Sequence, residues 1–304
     1  MLVSFLLIVI WILLTLKTTR PDGILVDYIH PYRKMLLYIM PTKAESVVLF
    51  DEAVPADNLL EYIQTTRERF KADMNHVLLA ALGAAFVENP ELNRFVMGRR
   101  LYQRDGVWLT FSMKRRKGDK RSKVAAVKLE MFGDETFEQL SERINQEVER
   151  ERSDAVTYAD RELGAFSQVP RPLLRLCVTL FKAADYFNLL PGTFIEKDGL
   201  YTSAFVANLG SLGMKAGYHH LFEWGNCPVF IMAGEVEERA VVEDGEVRVR
   251  KMLPIRVTYD ERIDDGLTAR GALDSIKRVL LNPATELGCI ADDGSDKRVM
   301  GEQR

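Results

Sequence analysis

The chain has 304 residues, 47% of them hydrophobic and 28% charged, enough to bury one large core or two modest ones. Its formal net charge of -3 is too small for nucleic acid or another polyanion to be the bulk partner, so electrostatic targeting has to come from local clusters. Cys177, Cys227 and Cys289 are odd in number, far apart and outside metal-ligand spacing, so they read as reduced thiols of a cytosolic domain with no metal site.

The first element is apolar. "MLVSFLLIVIWILLTL" carries no charge through Leu16, and at ~1.5 Å per residue a helix of this length covers about 24 Å, slightly under a ~30 Å hydrocarbon core. Bilayer thinning or snorkelling by Lys17 closes the gap. The basic residues Lys17, Arg20, Arg33 and Lys34 all follow the run, which argues against a cleaved signal peptide. Residues 1–20 are therefore expected to be an uncleaved, single-pass transmembrane helix, with the remainder on the cytoplasmic side. Residues 21–43 follow as a juxtamembrane segment, interrupted by Asp27, His30, Arg33 and Lys34, that lies either along the membrane or on the domain.

Residues 44–285 contain no long linker and no repeat and are expected to form one domain, followed by a flexible tail over 286–304. "SVVLFDEAV" alternates as a strand does, and "ADNLLEYIQTTRERF" places Leu59, Leu60, Ile63 and Phe70 on one helical face. "NHVLLAALGAAFVENP" is apolar all round and stopped by Pro90, as a buried helix would be. "VWLTFSMK" and "SKVAAVKLEMF" read as strands flanking a basic turn, and "DETFEQLSERINQEVERER" as a helix anchored by Phe137, Leu140, Ile144 and Val148. A mixed sheet covered by helices, of α/β (α+β) type, is the economical architecture.

Further on, "SAFVANLGSLGM" is a strand ending in a turn, where Gly210 and Gly213 imply positive φ or a close backbone approach. A strand, an "EDGE" hairpin turn and another strand lead to "YDERIDDG", with four carboxylates between Asp260 and Asp265. This order resembles the catalytic domain of the dihydrolipoamide acyltransferases of 2-oxoacid dehydrogenase complexes, in the chloramphenicol acetyltransferase-like superfamily. The stretches that carry it are "ANLG" (207–210), "DERIDDG" (260–266) and "ARGALDSIKRVLLNP" (269–283), with "NPELN" (89–93) as a weaker match in the first half.

The resemblance implies a two-layer sandwich that assembles as a homotrimer. It also implies an acyl group passing between coenzyme A and a lipoyl thiol in a channel between subunits. In that family a histidine acts as general base on the thiol, and a serine before Asn-Leu-Gly donates to the tetrahedral oxyanion. Here Glu261 stands at the histidine position and Ala207 at the serine position. Asn208, Gly210, Asp260, Arg262, Asp265 and Gly266 match the pattern, the last three mainly shaping the turn, and Asp265 is also placed with Glu261, His219 and His220 in the candidate catalytic set.

An unperturbed glutamate is a worse base for a thiol than histidine by roughly 3 kcal/mol, because their pKa values are about 4.3 and 6.5. Loss of an oxyanion donor adds on the order of 3 kcal/mol, giving about a ten-thousand-fold handicap for the inherited mechanism. "GYHHLFEWGNCP" supplies His219 and His220 as substitute bases that Glu261 could orient; the alternative is that both histidines pack structurally.

Two further stretches bear on partners. "PRPLLRLCVTLFKAADYFNLLPG" (170–192) reads as an apolar helix that lines an acyl-chain pocket, docks on a bilayer or thickens the core. "KRRKGDKRSK" (114–123) has seven basic residues in ten, suited to anionic lipid, the phosphates of coenzyme A or an acidic carrier protein. Within the 304 residues there is no lipoyl domain and no Ala/Pro linker, so the core of an ordinary dehydrogenase complex is not expected, nor is a covalently bound cofactor. Two functions stay open: a membrane-anchored acyltransferase acting on coenzyme A or carrier-bound acyl groups, and a catalytically silent trimeric scaffold.

Overall fold

A computed structural model describes residues 9–12, 15–115, 124–153, 164, 168–290 and 297–300. Its centre is a mixed sheet in the order β2-β10-β8-β7-β5-β6, where β2 is Val47–Pro55, β5 Val107–Lys114, β6 Val124–Met131, β7 Ala204–Asn208, β8 Val229–Ala233 and β10 Glu246–Asp260. Strand β7 runs parallel to both β5 and β8, and the other pairs are antiparallel. The expected strands over 46–54 and 107–114 are thus present, as is the "EDGE" turn, where Asp244 and Gly245 take positive φ between β9 (Glu237–Glu243) and β10.

One face of the sheet is covered by helices α2 (Asp57–Phe70), α3 (Met74–Glu88), α4 (Phe137–Arg152) and α7 (Gly266–Leu281). Helix α3 is the buried one expected from its all-round apolarity: every residue from His76 to Phe86 is buried. Its entry is fixed by Asp73, whose carboxylate accepts from the backbone N–H of Asn75 and His76. Helix α4 presents Phe137, Leu140 and Ile144 to this core, and its N-cap Thr136 completes a capping box with Gln139. The period-2 alternation of β7 and β8 sends Ala204, Val206, Val229 and Ile231 into the helical layer. Phe205, Ala207 and Phe230 go to the opposite face, where Leu221 and Cys227 cover them. The result is a two-layer sandwich.

A second sheet, β1-β4-β3 (β1 Gly23–Leu25, β3 Arg94–Met97, β4 Arg100–Arg104), was not expected. It incorporates the segment 21–43 into the domain. Arg20 is buried and binds Asp22 at 2.9 Å, Asp185 at 2.9 Å and Asn188 at 3.0 Å, and helix α1 (Pro31–Ile39) buries Leu37. At the other end the expected tail is partly built in. Helix α8 (Pro283–Leu287) buries Leu287, and Val299 and Met300 pack into the main core, with Val299 N–H bonded to the Glu135 carbonyl. Residues 291–296 and 301–304 lie outside the described residues.

The expected transmembrane helix falls partly outside them too, since residues 1–8, 13 and 14 are not described. Residues 9–12 and 15–16 are helical, and among the described residues no single helix is long and apolar enough to cross a membrane. Most of the polybasic stretch, 116–123, likewise lies outside. All three cysteines are free thiols, Cys227 and Cys289 buried.

The segment 40–46, which leads into β2, is held by a buried amine. Lys43 Nζ donates to the carbonyls of Phe222 and Gly225 at 2.8 Å each, and burial lowers its pKa to about 8. An unfolded lysine titrates near 10.5, so from pH 8 upward the unfolded chain keeps a proton that the folded chain has given up. Stability should therefore rise between pH 8 and about 9.5, by about 1 kcal/mol from this residue. Lys128, lowered to about 8 chiefly by burial, adds the same sign. Tyr201 and Tyr259, which burial holds above the usual phenol range, oppose the gain from about pH 10. Urea midpoints measured across this window should climb in the parent and flatten in Lys43→Met; a falling midpoint in the parent would contradict this.

Candidate active site

The turn 260–266 closes β10 and opens α7, and most of its charge is committed internally. Asp260 and Arg262 are both buried and form a bidentate pair, Nη2 to Oδ2 at 2.7 Å and Nε to Oδ1 at 2.9 Å. Ser46 Oγ donates to the same Oδ1 at 2.9 Å, and Arg262 Nη1 donates to the Met40 carbonyl at 3.0 Å. Asp264 pairs with Arg33 of α1 at 3.2 Å and with Arg94 at 3.6 Å, and accepts from Thr268 Oγ1. Asp265, expected in the catalytic set, is the N-cap of α7: its Oδ1 accepts from Leu267 and Thr268 N–H. Gly266 is the first residue of that helix.

Glu261 is the exception. Its backbone N–H bonds to the Ser46 carbonyl and its own carbonyl accepts from Arg33, while its half-buried side chain makes no hydrogen bond or ion pair with the described residues.

The other half of the expected motif is at the end of β7. Ala207 is 6% exposed, packed in the cluster with Leu221 and Phe230. Asn208 Oδ1 accepts from Ser211 N–H at 3.1 Å, which shapes the turn that follows. Gly213 takes φ +67°, and Gly210 approaches the next chain segment so closely that a Cβ there would lie 2.4 Å from the Gly234 carbonyl oxygen. Both expectations for these glycines hold. Gly210→Ala should cost about 1–3 kcal/mol in chemical denaturation, since the obstacle is backbone and cannot rotate away; a neutral substitution would show that the turn relaxes freely.

His219 and His220 lie on the same face of the sheet as Ala207. The His219 ring stacks on Phe230 at 4.1 Å and on His220 at 4.7 Å. Its Nδ1 shares a 2.6 Å hydrogen bond with the His220 carbonyl, and its own carbonyl accepts from Thr258 Oγ1 at 2.5 Å. Neither ring hydrogen-bonds Glu261, so within one chain the structure does not join them into a base-and-carboxylate pair.

Register shows how far apart the two motif halves are. Ala207 pairs with Met232, and Met232 with Arg256, so Ala207 is two strands from β10 and level with a residue five before Glu261. At ~3.3 Å per residue and ~4.8 Å per strand the separation is about 19 Å. One chain does not bring positions 207 and 261 together.

For helix α5 (Arg171–Tyr186), three roles stand open from the sequence. It does not thicken the core, since its one fully buried residue is Asp185, and Leu173, Leu176 and Leu180 are 50–58% exposed. Its inner side, through Phe181 and Tyr186, walls a cavity of about 520 Å³ with Met97, Tyr201 and Trp224. None of Ala207, His219, His220 or Glu261 lines this cavity. Among the described residues no cluster of His, Cys, Asp or Glu is arranged to hold a metal.

Sequence reading singled out the turn but missed the partners that clamp it. Ser46 and Arg33 lie more than 200 positions upstream, and neither carries a local signal of contact with Asp260 or Asp264.

Comparison with known proteins agrees with this architecture. Residues 197–287 match the family model of the 2-oxoacid dehydrogenases acyltransferase catalytic domain. The dihydrolipoyllysine-residue acetyltransferase component of the pyruvate dehydrogenase complex of Bacillus subtilis is 31% identical over 131 residues, 41% of this chain and 28% of that protein. The dihydrolipoyllysine-residue succinyltransferase component of the 2-oxoglutarate dehydrogenase complex of Rickettsia conorii is 45% identical over 49 residues, 16% of this chain and 12% of that protein. The matches thus span less than a third of these relatives' length. Among solved structures, a probable dihydrolipoamide acetyltransferase from Listeria monocytogenes superposes with a TM-score of 0.54 at 16% identity, over 90% of this chain and 98% of that one. The cubic core of a pyruvate dehydrogenase multienzyme complex superposes equally, at 0.54 and 15% identity, over 86% and 93%. Residues 197–287 thus match the model of the 2-oxoacid dehydrogenases acyltransferase catalytic domain, in a chain whose fold is similar to that of the dihydrolipoamide acyltransferase cores.

Proposed function

We propose that this chain is a membrane-anchored assembly module of the acyltransferase fold, homotrimeric, in which the inherited acyl-transfer chemistry has been given up. The observation that carries the reading is the state of the turn. Asp260, Arg262, Asp264 and Asp265 are all engaged in holding structure, while the two positions that carry chemistry in the family hold a carboxylate and a methyl group. An alanine offers no donor to an oxyanion, and an unpaired glutamate starts about 3 kcal/mol behind a histidine as base for a thiol. The uncharged run 1–16 followed by Lys17 and Arg20 supports an anchor with the domain on the cytoplasmic side.

One observation favours a second reading, a modified acyltransferase. Among the described residues Glu261 is the one carboxylate of the turn with no side-chain hydrogen bond or ion pair, and His219 is tied to β10 at Thr258, three residues upstream and about 10 Å along the strand. In an assembly a neighbouring copy could complete such a site, with coenzyme A or carrier-bound acyl groups as substrates.

An exchange assay with acetyl-coenzyme A and dihydrolipoamide, run on the full chain in detergent micelles, separates the two. The module reading expects no turnover above the protein-free rate. Turnover that disappears in Glu261→Gln or His219→Ala would establish the second reading instead.

A further inference from the structure

Helix α5 has three distinct sides. Leu174, Cys177, Phe181 and Ala184 turn inward, half-buried, towards the cluster of Leu190, Ile195 and Tyr201. Leu173, Leu176 and Leu180, spaced three and four residues apart, form one exposed apolar stripe that touches nothing in the core. Arg171, Arg175 and Lys182 occupy the opposite flank, all exposed. The one acidic residue of the helix, Asp185, is buried and neutralised by Arg20 at 2.9 Å. To solvent the helix therefore offers apolar residues, Thr179, Tyr186 and cations, and no carboxylate. That is the composition of a helix lying in the plane of an anionic membrane interface, apolar side down and cations at the phosphate level.

A second, independent feature points to the same occupant. The apolar N-terminal run leaves the domain at the C-terminal end of α5. Asn188 Nδ2 donates to the Lys17 carbonyl at 2.9 Å, and Arg20 is held by both Asp185 and Asn188. Immediately before this attachment Ile10, Trp11, Ile12 and Leu16 are 43–68% exposed. The described end of the uncharged run is thus attached beside the C-terminal end of the helix that carries the leucine stripe.

We propose that α5 is an interfacial helix that lies on an anionic lipid surface, holding the domain at a fixed orientation beside the anchor. The proposal extends the anchored reading above but is tested separately from it. A second copy of the chain is the competing occupant of the stripe; it would leave the exposed Arg171, Arg175 and Lys182 without counter-charge, which an anionic lipid surface supplies.

The test uses the full chain in vesicles of phosphatidylcholine with phosphatidylglycerol, in a Cys177→Ala background so that an introduced cysteine is the accessible thiol. An environment-sensitive fluorophore is placed at Leu176→Cys, Leu180→Cys or, on the basic flank, Arg175→Cys. Doxyl-labelled lipid should quench the label at 176 and 180 several-fold more strongly than at 175, and aqueous iodide should show the reverse order. Labels at 176 and 180 that iodide reaches as readily as the one at 175 would overturn the proposal. Protection from both quenchers, with disulfide cross-linking between copies at 176, would assign the stripe to self-association and overturn it as well. Carbonate extraction of the same vesicles reads the anchor alone: retained protein with unquenched labels refutes the role of α5 and spares the anchor, while quenched labels on extractable protein do the opposite.

Discussion

Arg262→Met should lower the unfolding free energy by about 3–5 kcal/mol, among the largest costs of any single substitution in this chain. The reason is the partner left behind. Asp260 is 1% exposed, and of the donors around it the guanidinium supplies two, leaving only Ser46 Oγ and one backbone N–H. A buried carboxylate without its cation either pays for its desolvation or takes up a proton, and both routes cost stability. The Met40 carbonyl loses its donor in the same step, which loosens the segment between α1 and β2. The paired substitution Asp260→Asn with Arg262→Met should cost clearly less than the sum of the two single changes, because no uncompensated charge then remains. Urea unfolding in detergent micelles measures all three proteins. A loss below about 1 kcal/mol for Arg262→Met would mean that the pair is solvated, as surface pairs are.

The second large effect is a gain. Glu261→His together with Ala207→Ser should raise coenzyme A-dependent acyl exchange over the parent by about three to four orders of magnitude, each change restoring roughly 3 kcal/mol of the missing stabilisation. The turn that would orient the new histidine is already rigid: its backbone is bonded on one side to Ser46 and on the other to Arg33, and Asp265 fixes the start of α7. The strand that would carry the new serine is buried on both faces and in register with β8. Steady-state exchange between acetyl-coenzyme A and dihydrolipoamide reads the result. Each single change should recover only part of the gain, and no recovery in the correctly assembled double variant would mean that the thiol channel itself is gone.

Much of the fold was legible because its periods are clean. The alternation of "VWLTFSMK" and the all-round apolarity of "NHVLLAALGAAFVENP" each allow one structure, and β5 and α3 are what formed. The small sheet β1-β4-β3 was not legible, since its strands are three to five residues long; β1 joins β4 across about 80 positions, and β3 and β4 form a short hairpin around Gly98 and Arg99. Helix α5 misled in a more instructive way. Its leucines have core-like spacing, yet spacing alone cannot say whether a core is there to receive them; here Leu173, Leu176 and Leu180 face outward.

At the candidate site the turn is legible in the sequence and its bonding is not: Asp265 caps α7, and Asp260 and Arg262 are the most deeply buried charges of the turn. The pairing of Glu261 with His219 or His220 depended on a distance that residue order does not encode. The described contacts tie His219 to Thr258 and not to Glu261, and cross-strand register keeps Ala207 about 19 Å from Glu261 within one chain.

The proposal that a neighbouring copy completes the site is tested most directly by mixed assemblies. Glu261→His and Ala207→Ser are made in separate chains, co-assembled in equal amounts, and assayed for acyl exchange. If the site is shared across an interface, about a quarter of the interfaces carry both restored residues, and the mixture should turn over at about that fraction of the double variant's rate. A mixture no faster than the two single variants, beside an active double variant, would place both residues in a site within one chain and contradict the account.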